Sequence, residues 1–273
     1  MTTKFKPGER KIYENVFDGL SFYQTTGEVY HTNRSKSKFH NFFLQATENI
    51  KNPVVLDVGC FVGTELFMLP KVSGGSYFGI DVSFDAIAYA NKMAEKRGEN
   101  QIKFQAVDAN KPLPFEVNKF DVVYALELVE HLHDPGKFFD QVFRVLKPGG
   151  RLIISTPNGT SLPNLLSKWS PSTLEREQDF TRHGKSFKVD SNTWDNDAHI
   201  SLFGFFKWKR LFQNHGFEID GVEGSSIFGG SRFVSNRPFL LGLAILLDSL
   251  IDLIPIKPHL QMCLIASLKK NVA

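Results

Sequence analysis

Three acids and two glycines carry the first chemical signal. In Val54-Val55-Leu56-Asp57-Val58-Gly59-Cys60-Phe61-Val62-Gly63, an apolar run leads into an acid and then into a turn with Gly59 and Gly63. Glycines in such a turn let the backbone approach a ligand closely. Asp81 closes the next apolar run, at about the distance from a Gly-rich turn where an acid can accept both hydroxyls of a ribose. Asp108 closes a third and can accept a hydrogen bond from a ring amino group. A second group is Glu127, Glu130 and His131. On a helical turn these three share one face, a spacing that could hold a divalent cation. His131 and the distant His199 are candidate general bases, because an unperturbed imidazole titrates near about 6.5.

The elements that must position these groups follow from periodicity. Residues 1–34 show no clear period. A helix capped by Ser35 or Ser37 presents Phe39, Phe42, Phe43, Ala46 and Ile50, and Asn52-Pro53 opens the first strand. Strands 76–80, 101–107, 119–124 and 151–155 then alternate with helices. One helix is capped by Ser83 and stopped by Gly98, and another opens at Pro135. Such alternation means a parallel sheet with right-handed crossovers, whose ligands bind beyond the carboxyl ends of the strands. Asp57, Asp81 and Asp108 all fall at those ends. Residues 157–200 break the pattern with three prolines and many aromatics, as expected of a lid. A helix at 205–215, a strand at 217–222, an apolar helix at 239–253 and a last strand at 260–268 complete the chain.

Composition bounds the rest. The 273 residues suffice for one large domain with a full core, and 26 Phe supply bulk. The balance of 32 basic and 29 acidic residues gives no argument for a nucleic-acid partner, and none is expected. Two cysteines make neither a disulfide framework nor a zinc pattern, and the charged N-terminus lacks a signal peptide, so a cytoplasmic protein is expected. The apolar run 239–247 is shorter than the roughly 20 residues of a membrane span. With Asp248 and Asp252 as a polar stripe, 239–253 reads as a helix packed on the sheet, the alternative being weak contact with a membrane surface.

The turn lacks the second and third glycines of a dinucleotide fingerprint. It resembles instead the D-x-G-x-G-x-G motif of class I S-adenosylmethionine (SAM) methyltransferases, with Phe61 in place of the middle glycine. The resemblance covers about residues 40–224. It is carried further by Gly79-Ile80-Asp81, Val107-Asp108-Ala109, Phe120-Asp121-Val122-Val123, Glu130-His131-Leu132-x-Asp134-Pro135, Leu146-Lys147-Pro148-Gly149-Gly150 and Ser155-Thr156-Pro157-Asn158. These motifs resemble the branch containing ubiquinone-biosynthesis O-methyltransferases. It implies a Rossmann-like α/β fold, with a seven-stranded, mostly parallel sheet in the order 3-2-1-4-5-7-6 and helices on both faces. It implies SAM held by Asp57, Gly59, Gly63, Asp81, Asp108, Ala109 and Tyr124. Gly59 would lie under the methionine part, Asp81 at the ribose, and Asp108 with Ala109 at the adenine. The expected activity is methyl transfer to a small or medium acceptor, with oxygen the favoured atom. The expected organisation is one domain, 1–273, made of an N-terminal segment and helix (1–50), a SAM-binding half (51–156), the lid (157–200) and a C-terminal part (201–273). A non-catalytic SAM-fold binding protein is the alternative. So is a metal-assisted O-methyltransferase using Glu127, Glu130 and His131.

Overall fold

The computed structural model describes residues 26–162, 200–227, 238–251, 261 and 263–271. A seven-stranded sheet runs through it, formed by β1 (Val54–Val58), β2 (Ser76–Asp81), β3 (Ile102–Ala106), β4 (Phe120–Leu126), β5 (Leu146–Pro157), β6 (Phe217–Gly224) and β7 (Cys263–Lys270). The order is β3-β2-β1-β4-β5-β7-β6, with β7 antiparallel to both neighbours, as the resemblance implied. Central strands are covered on both faces, which is why β1 and β4 read as near-continuous apolar runs.

Alternation along the strands sorts side chains into two cores. Leu56, Val58, Val123 and Ala125 pack with Phe138, Phe139 and Val142 of α4 (Pro135–Val145) and with Trp208 and Phe212 of α5 (Phe205–Asn214). Val55, Val122 and Tyr124 point the other way. They meet Phe39, Phe43 and Ala46 of α1 (Thr26–Thr47) and Ile87 and Ala90 of α3 (Phe84–Arg97). Asp57 shares this second face because it alternates with Leu56 and Val58.

Local chemistry sets the boundaries. α2 (Thr64–Met68) stops after five residues because Leu69 precedes Pro70, and Leu69 takes the extended conformation that a following proline demands. Ser83 caps α3 by accepting from the Ala86 amide, and Gly98 ends it at φ 68°. Asp134 caps α4 with Pro135 at its first position.

Three expectations change. First, α1 begins at Thr26, so Ser35 and Ser37 lie inside it and cap nothing. Its first turns carry no apolar stripe in the sequence, so periodicity could not reveal them, whereas helix propagates readily from the packed half. Second, β5 starts at Leu146. Phe120 pairs with Leu146 and Val122 with Arg151, so Pro148-Gly149-Gly150 is a register shift within a strand. Third, the apolar helix, α6 (Pro238–Ile251), is turned opposite to the expected packing. Asp248 is fully buried and accepts from the Ile227 amide at 2.8 Å, while Phe239, Leu246 and Leu250 are exposed. Among the described residues no helix is long and apolar enough to cross a membrane. Residues 163–199 of the lid, with His199, and Asp252 lie outside the described residues.

Candidate cofactor and acceptor site

The strand ends bring the glycine turn and Asp81 together. The amides of Gly59 and Cys60 both donate to Ile80 O, fastening the turn to β2. Gly59 and Gly63 have φ of 80° and 79°, a region that glycine enters without strain. A Cβ on Gly63 would stand 2.4 Å from the Phe104 ring, so this glycine is also required by packing. Phe61 keeps the left-handed backbone, φ 50°, despite its side chain. That conformation costs roughly 1–2 kcal/mol in a non-glycine residue. Its ring packs beside Val62, Ala86 and Tyr89 at the start of α3. The turn is therefore strained and not reshaped.

Asp81 repays part of that strain. Its Oδ2 accepts from the Phe61 amide at 2.9 Å and its Oδ1 from the Ser83 amide at 2.8 Å. Burial pushes this carboxyl up, and the amides of Ser83, Phe61 and Val82 pull it back. Each oxygen keeps a second lone pair for a hydroxyl. Asp108 lies two residues past the end of β3 and accepts from the Asn110 amide at 2.9 Å. Slight burial raises its pKa, but Asn110 and Lys111 outweigh this and hold it below the ordinary value. Ala109 borders a hollow of about 320 Å³ lined also by Lys111, His133 and Lys137. That hollow takes in none of Asp57, Gly59, Gly63 or Asp81, so it lies to the side of the turn.

Beneath α1 stands a set of polar groups, most of which the sequence did not single out. Asp57, 4% exposed, is aligned with Tyr124 on the neighbouring strand. Burial pushes the Asp57 carboxyl well above its usual range; the Glu65 charge adds to this and the nearby Tyr124 hydroxyl opposes it. Lys36 Nζ lies 2.6 Å from Glu65 Oε1, and His40 Nε2 is 3.6 Å from Glu65 Oε2, beyond hydrogen-bond length. Burial raises Glu65, but His40 and Lys36 bring it below the ordinary value. His40 Nε2, Thr64 Oγ1, Glu65 Oε2 and the Tyr124 hydroxyl are buried and make no hydrogen bond of ordinary length, although His40 Nε2 faces Glu65 Oε2 and the Tyr124 hydroxyl lies near Asp57. Buried polar atoms are normally satisfied. Donors and acceptors left open together, with basic and acidic groups side by side, fit a zwitterion such as the amino-acid end of SAM. The available signal was Lys36 and His40 four apart on one helix face, close to the glycine turn in space and not in sequence.

The second set lies past β4 and β5. Glu127 adopts φ 51° and precedes a 3-10 turn, Val129–His131. Glu127, Glu130 and His131 therefore do not share a helical face, which corrects the reading of a metal-holding turn. Glu127 Oε1 accepts from Ser155 Oγ at 2.6 Å and from Cys263 Sγ at 3.2 Å. Glu130 is fully buried, and its Oε2 accepts from Thr156 Oγ1 at 3.2 Å. Its Oε1 has no hydrogen bond and lies 3.9 Å from His131 Nε2. Burial, with the Glu127 charge added, pushes Glu130 up to about 8. His131 itself is 41% exposed. Among the described residues no three His, Cys, Asp or Glu side chains are grouped to hold a metal. Ser155, Thr156 and Cys263 were not expected here; Cys263 arrives only through the antiparallel pairing of β7 with β5.

Comparison with known proteins identifies the family. The chain is 35% identical to tocopherol O-methyltransferase of Arabidopsis thaliana over 133 residues, which are 47% of this chain and 38% of that protein. It is 38% identical to a ubiquinone biosynthesis O-methyltransferase of Bradyrhizobium over 104 residues, 38% of this chain and 40% of that one. It thus spans less than half the length of either relative. A putative sarcosine dimethylglycine methyltransferase from Galdieria sulphuraria has the same fold, with a TM-score of 0.60 at 15% identity over 87% of this chain and 86% of that one. The family model described as a methyltransferase domain matches residues 49–216, and the chain accordingly belongs to the class I SAM-dependent methyltransferases.

Proposed function

We propose that the protein transfers a methyl group from SAM to an oxygen of a small or medium acceptor. The observation that carries this is the Asp81 carboxylate. It is fixed by two backbone amides at the end of β2, beside the glycine turn, with lone pairs to spare. In this reading Asp81 binds the ribose, Asp108 and Ala109 bind the adenine, and Gly59 lets the backbone lie against the methionine part. Asp57 and Tyr124, with Lys36, His40, Thr64 and Glu65, receive its charged end. Gly63 shapes the turn by admitting Phe104.

SAM supplies a methyl already activated on a sulfonium, so the protein's tasks are to align the acceptor and to take its proton. His131 is suited to the second task, being a half-exposed imidazole at the carboxyl end of β4. The buried Glu130 carboxyl, pushed up to about 8, lies 3.9 Å from that ring. Oxygen is supported by the O-methyltransferases among the relatives. Others are named for nitrogen or carbon, such as norajmaline N-methyltransferase and sterol 24-C-methyltransferase. His199 is retained as a base or lid residue.

Calorimetry with S-adenosylhomocysteine, followed by labelled methyl transfer to a panel of phenols, alcohols and amines, tests this. Micromolar binding with phenol or alcohol methylation is expected. His131→Ala should lower kcat while leaving cofactor affinity unchanged. Tight binding without transfer to any acceptor would favour a non-catalytic binding protein.

A further inference from the structure

We infer that Gln261 and Glu130 form a subsite for the acceptor, and that it takes an uncharged molecule with a hydroxyl at one end and a carboxamide at the other. The inference rests on the methyltransferase reading for calling this molecule the acceptor, and not for the binding itself.

Two fully buried side chains leave polar atoms open at the carboxyl edge of the sheet. Oε1 and Nε2 of Gln261 and Oε1 of Glu130 make no hydrogen bond. Buried polar groups are normally paired, because an unpaired one costs free energy. Residue 261 is nevertheless fixed in place. Its own carbonyl accepts from Asn158 Nδ2 at 3.0 Å, which ties it to the exit of β5. The carboxamide is thus held by its backbone with its hydrogen-bonding end unused.

The sheet puts both side chains on one face. Thr156, Leu264 and Gly224 form a row across β5, β7 and β6. Residues opposite one another on neighbouring strands share a face, and Leu264 marks this one as the face of α4 and α5. Glu130 stands over Thr156, whose Oγ1 donates to its Oε2 at 3.2 Å. Gln261 stands over Gly224, where a Cβ would collide with the carboxamide. Strands lie about 4.8 Å apart, so the ends of the row are about 10 Å from each other, with the apolar Leu264 between them.

That layout defines the ligand. A hydroxyl at Glu130 Oε1 comes beside His131, whose Nε2 is 3.9 Å from that oxygen. An apolar body covers Leu264. At the far end a carboxamide offers an N–H to Gln261 Oε1 and a C=O to its Nε2, using both open atoms at once. A carboxylate or phosphate would give Oε1 no donor, and an ammonium would give Nε2 no acceptor. Charge also opposes an anion. Among the described residues Glu127, Glu130, Glu223 and Asp248 bring acids to this edge, against Lys38, whose ammonium is engaged by Glu223 and Gly224 O.

Calorimetry with 4-hydroxybenzamide and 4-hydroxybenzoate tests this, with and without S-adenosylhomocysteine. The two probes share a phenol and differ in the charge of the far group. The wild type should bind the amide at least tenfold tighter than the acid. Gln261→Met, similar in size but without an amide, should lose at least tenfold in affinity for 4-hydroxybenzamide. With no ligand present the same variant should melt about 2–4 °C higher, because an apolar chain replaces an unpaired buried amide. Gly224→Ala, which crowds the carboxamide without removing it, should also weaken the amide probe. Equal affinity for the two probes, or binding of neither, would overturn the proposal, as would undiminished amide binding by Gln261→Met. So would a lower melting temperature or loss of fold in Gln261→Met, because the carboxamide would then be satisfied in the free protein. S-adenosylhomocysteine binding without a preference for the amide overturns the subsite alone. Amide binding that depends on Gln261, without S-adenosylhomocysteine binding, overturns the methyltransferase reading alone.

Discussion

At Asp81 one carboxylate fastens the turn and, in the proposed reading, would also take the ligand. It holds the amide of strained Phe61 and the amide of Ser83. Removing it would loosen the turn and, in the proposed reading, cost the ribose contacts. Hydrogen bonds to a charged group are worth about 1.5–3 kcal/mol each. Asp81→Ala should therefore weaken S-adenosylhomocysteine at least tenfold by calorimetry, and Asp81→Asn, which keeps one acceptor, should weaken it less. Equal affinity in both variants, with the fold intact, would count against the site. His40 tests the zwitterion pocket. His40→Ala should weaken S-adenosylhomocysteine several-fold but leave 5′-methylthioadenosine, which lacks the amino-acid end, unaffected; a parallel loss for both ligands would mean that His40 is only structural. Glu130 adds a pH signature. Its folded pKa of about 8 lies above the unfolded value near about 4.3, so the folded state binds the extra proton between them. The stability it contributes is complete below about pH 4 and is lost as pH rises toward 8. Glu130→Gln should flatten the fall in Tm between pH 5 and 8, and an unchanged slope would show that another group titrates.

Among the elements, the β1–α2 turn concentrates the conformational cost. Gly59, Phe61 and Gly63 all have positive φ within five residues. Phe61→Gly should relieve about 1–2 kcal/mol of backbone strain while losing the ring's packing on Val62, Ala86 and Tyr89. Cofactor affinity should be kept or improved, as calorimetry would show. A large loss would mean that the ring itself contacts the cofactor. The other elements were readable where their signals are local. Ser83, Gly98 and Pro135 mark helix ends by hydrogen bonding and φ alone, and the structure has them in those roles, with Asp134 as the cap before Pro135. Signals that depend on a distant partner failed. Pro148-Gly149-Gly150 looks like a break, but pairing with β4 carries the strand through it.

Across the whole molecule, α1 spans from the glycine turn to the far edge of the sheet. It packs on β4, β5, β6 and β7 while Lys36 and His40 reach Glu65 beside the turn. Lys38 ties its middle to Glu223 and to Gly224 O at the far edge. Phe43, on its inner face, is fully buried and meets Tyr124 edge-on. Phe43→Ala should cost about 3–5 kcal/mol in urea unfolding. If the helix closes one common core, loss should appear as a single cooperative transition. A separate early transition would make α1 an independent flap.

The sequence by itself determined the strand order through its family motifs. It also determined the acids at the carboxyl ends, because apolar runs, glycines and caps act over a few residues. Asp57, Asp81 and Asp108 were legible for that reason, as was the place of Phe61 in the turn. Only the tertiary structure decided how Phe61 is accommodated, since its φ depends on Asp81 taking its amide. Only it brought Lys36 and His40 to Glu65, and Cys263 to Glu127, across long stretches of chain. It also decided which way α6 faces. Periodicity gives a helix its stripe, but burial of Asp248 depends on the Ile227 amide that waits for it.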